Sequence, residues 1–144
     1  MHSEEIDKKR KEKWYEAIFM IEALGIEKEV VKNALERHLD KMSQVRNVYI
    51  FEKAFGEIQK VENPMKDVKE AYSQIVETKL LVKDLFTLLS VVLVYGPSSV
   101  EIIGPEKKEI NIDEVQNVSN ILAGIVHQFA AAGAGGIVIS PDKK

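Results

Sequence analysis

Apolar positions along this chain of 144 residues change their spacing several times, and each change marks an element. The opening residues are nearly all charged. Trp14, Ala17, Ile18, Ile21 and Leu24 then recur at helical spacing, which predicts a helix over Glu4–Leu24 stopped by Gly25. Tyr15, Phe19 and Met20 lie off that stripe and are also apolar, so the helix is expected to need cover on more than one side. A subunit interface through Trp14, Tyr15, Phe19 and Met20 would supply the second cover. Val30, Val31, Ala34, Leu35, His38, Leu39 and Met42 give one face of a helix over Glu27–Ser43, so residues 4–43 read as a helical hairpin.

Beyond residue 45 the period shortens. Val48–Phe51 are strand formers, Gly56 predicts a bulge or bend, and Glu62-Asn63-Pro64 predicts a break, because proline pushes the residue before it away from helix. Ala71–Val82 alternates, with Tyr72, Val76, Leu80 and Val82 on one face and Ser73, Glu77 and Lys79 on the other. The two strands are expected to pair antiparallel. Asp84 reads as the cap of a helix that ends at Gly96, with Leu85, Leu88, Leu89 and Val92 inward, although its β-branched residues keep a strand reading open. Val100–Ile103 reads as a strand and Ile110–Ile112 as a short one. Asp113 reads as the cap of a last helix reaching Ala132, with Gln116 placed as in a capping box. Val115, Val118, Ile121, Leu122, Ile125, Val126 and Phe129 form its apolar face. Ile137–Ile139 could add an edge strand.

These elements define an α+β fold, a small antiparallel sheet packed with helices. The order after residue 27 is α-β-β-α-β-α, which is ferredoxin-like, preceded by an N-terminal helix and lacking its first strand. Either the C-terminal Ile137–Ile139 fills that place or the first helix covers it. Residues 1–144 are expected to be one domain, with 133–144 a mobile tail.

Composition narrows the function classes. There is no cysteine, so disulfides, thiolate metal sites and thiol catalysis are excluded. Net charge is −3, which argues against the broad basic surface that nucleic acids require. The run Lys8, Lys9, Arg10, Lys11, Lys13 is interleaved with Glu4, Glu5, Asp7, Glu12 and Glu16, as on a solvated helix with i,i+4 pairs. The N-terminus has no apolar stretch of signal-peptide type, and no apolar run approaches the roughly 20 residues of a membrane span. A cytoplasmic location is expected. Charge is carried by 17 Lys and 17 Glu against 3 Arg and 6 Asp, a skew seen in thermophiles.

Candidate chemistry is sparse. His2 lies at the terminus and is expected to fray, and His38 borders an apolar helix face as a satisfied core-edge residue. Gln116, Asn120, Ala123, Gly124 and His127 form a small-and-polar stripe on the last helix. It reads either as a solvated face or as a cleft with His127 as acid, base or ligand and Asn120 orienting it. Ser98 and Ser99 in the YGPSS turn would complete such a ligand cleft, but they lack a nucleophile context. YGPSS and the GAGG at 133–136 follow helices and precede strands, so both sit at the negative dipole end, wrong for phosphate. No metal spacing appears, and no cofactor is expected. Tyr49, Phe51 and Phe55 lack the glycine-flanked pattern of single-strand RNA binders and read as packing residues.

Residues 70–103, EAYSQIVETKLLVKDLFTLLSVVLVYGPSSVEII, together with the tail FAAAGAGGIVIS, resemble small uncharacterised archaeal α+β proteins. That resemblance implies no activity and no site residues. The expectation from the residues is a non-enzymatic interaction or assembly module, a homo-oligomer or the binder of another protein. The alternative is a small-molecule-binding regulatory domain with its cleft near Ser98, Asn120 and His127. An enzyme would have to rest on His127.

Overall fold

The computed structural model describes residues 2–133. Residues up to Lys108 form one compact unit and those from Glu109 a second. The expected Ile137–Ile139 strand and most of the expected mobile tail lie outside the described residues.

The first unit opens with helix α1 (His2–Lys11), far shorter than the pattern predicts. The chain reverses through Lys13, at φ 65°, and continues as strand β1 (Tyr15–Gly25). A helix over Glu4–Leu24 is therefore wrong from Glu12 onward. Apolar residues on every side of YEAIFMIEALG reflect a central strand with one face in the core and a strand paired along each edge, not a helix. Its odd positions Ala17, Phe19 and Ile21 are buried at 0%, 0% and 3% exposure, a period of two. Gly25, expected to stop a helix, ends the strand instead, where a Cβ would meet Val31 Cγ2 at 3.0 Å.

Helix α2 (Lys28–Ser43) follows, burying Val31, Leu35, Leu39 and Met42. Val30, expected inward, is 53% exposed. Strands β2 (Val48–Phe55), β3 (Gln59–Met65) and β4 (Val68–Val82) come next. The predicted break at Glu62-Asn63-Pro64 lies inside β3, where the register with β4 shifts after Glu62 and Asn63 takes φ 51°. Proline is tolerated there because β3 is an edge strand with a bulge. Helix α3 (Leu85–Tyr95) starts where Asp84 accepts from Thr87 N–H at 2.8 Å. It stops at Gly96, φ 55°, whose N–H reaches Val92 O at 3.0 Å. The strand reading of this segment is thereby settled in favour of helix. Strand β5 (Ser99–Gly104) completes the sheet.

All strand pairs are antiparallel, in the order β2-β4-β1-β5, with β3 also on β4. β4 serves two partners in succession, β3 along Val68–Ser73 and β2 along Val76–Val82. Helix α2 links β1 to β2 across β4, and α3 links β4 to β5 across β1. Phe19, Ile21, Val76 and Leu80 from the sheet meet Leu35, Leu39, Met42, Leu88 and Val91 from the two helices in one core. Each such side chain contributes roughly 1.5–3 kcal/mol when fully buried.

Helix α4 (Ile112–Ala131) belongs to the second unit. Its N-cap residue is Asn111, not Asp113, and no side chain bonds to the cap. Gln116 bonds forward to Asn120 rather than back to a cap. Ile110–Ile112, read as a short strand, forms none: Ile110 and Asn111 are irregular and Ile112 begins the helix. Among the described residues there are thus four helices and a five-stranded antiparallel sheet, an α+β fold.

Candidate functional site

The sheet has a second face, turned away from the core. Met20 and Glu22 of β1 lie on it, opposite Glu77 and Ile75 of β4. The chain from Ala54 through Gly56 to Gln59 borders the same surface, enclosing a groove of about 530 Å³. Its floor is Met20 and Ile75, and Glu22, Glu57 and Glu77 stand around it. None of these three carboxylates has an ion pair among the described residues, whereas Glu52 on the neighbouring strand pairs with Lys79 at 3.2 Å. Gln74 lies at the groove wall, 7% exposed. Its Nε2 donates to Gly56 O at 2.9 Å, and its Oε1 has no partner among the described residues. The wall is therefore fixed by the β2–β3 connection, which Gly56 N–H also ties to Ile75 O at 2.8 Å.

Helix α1 closes one end of this outer surface. His2 Nε2–H donates to Phe51 O at 3.0 Å, which leaves Nδ1 to accept from the Tyr49 hydroxyl at 2.7 Å. Lys9 Nζ lies 5.0 Å from the Trp14 ring centre and 4.8 Å from that of Tyr49, and bonds to Glu5 at 2.7 Å. That bond, and the Lys9 charge behind it, hold the Glu5 carboxyl below its ordinary value. His2 is thus tied down, contrary to the expectation of a frayed terminus. His38 behaves as expected at a core edge: its Nε2–H donates to Tyr95 O at 2.8 Å, and the two rings meet edge to face.

The residues predicted to line a cleft are divided between the units. Ser98 is fastened to β1, its N–H and hydroxyl both donating to Met20 O at 2.7 and 3.1 Å. Ser99 is the first residue of β5. Asn120 and His127 belong to α4 in the second unit, both exposed. The groove residues Glu22, Glu57 and Glu77 were not singled out by the sequence, because scattered glutamates look like solubilising charge until register brings them together. Of the residues expected at an interface, Phe19 is corrected: it is fully buried within the chain and has no surface to offer. Trp14, Tyr15 and Met20 are half-buried. Trp14 lies against Lys9, and Tyr15 holds Lys108 Nζ over its ring at 4.4 Å.

In the second unit, Val115, Val118, Leu122, Ile125 and Phe129 follow one another at steps of three and four along α4, with Ile121 and Val126 beside them. None of the 20 residues of this helix is buried. Leu122 and Phe129 are 52% and 56% exposed. Among the described residues, no three His, Asp or Glu side chains converge as metal ligands, and no helix is long and apolar enough to cross a membrane.

A family model, that of the MJ0538 family, matches residues 16–140, from the second residue of β1 to beyond α4. The chain belongs to the MJ0538 family. The family is a small, uncharacterised one, in agreement with the resemblance read from residues 70–103. The match begins within β1 and so takes in the strands and α2 to α4 while omitting α1. No curated protein matches the chain.

Proposed function

We propose that the chain is a non-enzymatic assembly module that works as a homo-oligomer. The observation that supports this reading is α4, a 20-residue helix with a continuous apolar seam and no buried residue. Helices of this kind gain most of their stability from packing that seam against something. In our reading the strand order, with α2 and α3 each bridging one intervening strand, is a ferredoxin-like arrangement extended by α1, β3 and α4. Such a frame carries no function of its own, so the assembly reading rests on the exposed seam. Native mass spectrometry of the purified chain tests it. A mass of two or more chains at micromolar concentration is the expected result, and a monomer persisting at tens of micromolar would remove the proposal.

A further inference from the structure

We infer that the occupant of the α4 seam is α4 of a second copy, lying antiparallel; this rests on the assembly reading and adds its contact surface. Val115, Leu122 and Phe129 alternate with Val118 and Ile125 in the 3-4 spacing of a two-helix seam. From Val115 to Ala131 the helix carries no Asp, Glu, Lys or Arg. Nothing in that stretch repels an identical helix, and no charge pattern there selects a differently charged partner. A strip about 30 Å long and 10–12 Å wide on each copy gives roughly 600–700 Å² over the two copies, at the low end of interface sizes.

Direction follows from chain length. Only Glu109 and Ile110 separate the end of the first unit from the cap residue Asn111. A parallel pair would therefore bring two 108-residue units to points about 8–10 Å apart. Antiparallel pairing separates those points by about the helix length, 30 Å, close to the diameter of such a unit. Side-chain size sets the register. Placing Leu122 opposite the partner's Ile125 also places Phe129 opposite the smaller Val118, whereas sliding toward the N-terminus leaves Phe129 facing the polar cap region.

The absence of cysteine gives a clean test, because an introduced thiol is the only one present. Full-length chains carrying Leu122→Cys and Ile125→Cys, co-expressed with distinguishable tags, are expected to form a mixed disulfide under mild oxidation. It should form at least about ten-fold faster than any cross-link of Asn120→Cys, which lies on the opposite side of the helix. Leu122→Cys linking to itself as fast as to Ile125→Cys would overturn the antiparallel direction. No linking above the Asn120→Cys control, in a sample whose native mass is a dimer, would overturn α4 as the contact while leaving self-assembly standing. A monomeric native mass would remove both.

Discussion

Replacing Phe19 with alanine separates a core strand from an interface helix more cleanly than any other change in the chain. Phe19 is 0% exposed, lies opposite Thr78 of β4 and Val100 of β5, and belongs to the core cluster shared with α2 and α3. Truncating it removes a buried ring from the middle of a central strand, where neither neighbouring strand can shift without losing its ladder. Buried Phe→Ala changes cost about 3–5 kcal/mol, against a total stability of roughly 5–15 kcal/mol for a domain. With a urea slope of about 1–2 kcal/mol per molar, the unfolding midpoint should fall by about 2–3 M, and the melting temperature by on the order of 20 °C. The assay is urea unfolding followed by far-UV circular dichroism, with native mass measured on the same sample. Met20→Ala, half-buried on the opposite face, should cost only about 1 kcal/mol. A Phe19→Ala chain that keeps its midpoint within about 0.5 M but loses its oligomeric mass would refute the core assignment.

Three further outcomes are expected. Thr78→Val should raise the urea midpoint, by about 1 kcal/mol in stability, because Thr78 Oγ1 is fully buried without a partner among the described residues and valine keeps its shape. An unchanged or lowered midpoint would show that the hydroxyl is satisfied. Asp84→Ala should lose about 1 kcal/mol with the bond to Thr87 N–H, measured by thermal melting, while Asp84→Asn should retain most of it. The Glu5 carboxyl, followed by NMR, should titrate below 4.5, because its folded-state value is lowered by Lys9. The associated stabilisation is therefore present above 4.5 and is lost as the pH falls through the lowered value; Lys9→Met should return the titration to its ordinary position.

How much was legible depended on whether local pattern and final environment agreed. Asp84 and Gly96 were readable because a cap and a left-handed stop are local chemistry, independent of what packs around them. β4 was readable because its Val76, Leu80 and Val82 face α2 and α3 while Glu77 and Lys79 lie on the other face. β1 was not. A central strand apolar on both faces loses its alternation, and Ala17, Ile18, Ile21 and Leu24 then happen to satisfy a helical spacing as well. Missing it left the sheet one strand short and sent the search for that strand to the C-terminus. The groove was hidden for a related reason. Glu22, Glu57 and Glu77 belong to three separate segments and meet only through the β1–β4 register and the β2–β3 connection.

The place of β1 in the sheet also sets a schedule for the chain as it is made. β1 ends at Gly25, yet its longest partner, β4, is completed only at Val82, 57 residues later, and β5 only at Gly104. At about 5–20 residues per second, a nascent chain holds this two-faced apolar strand unpaired for roughly 3–11 seconds. α2 can form in that interval but cannot satisfy the strand's backbone. Throughout that interval the charged segment of α1 lies immediately upstream, Lys8, Lys9, Arg10 and Lys11 beside Glu4 and Glu5, the kind of flanking charge that opposes aggregation of an apolar strand.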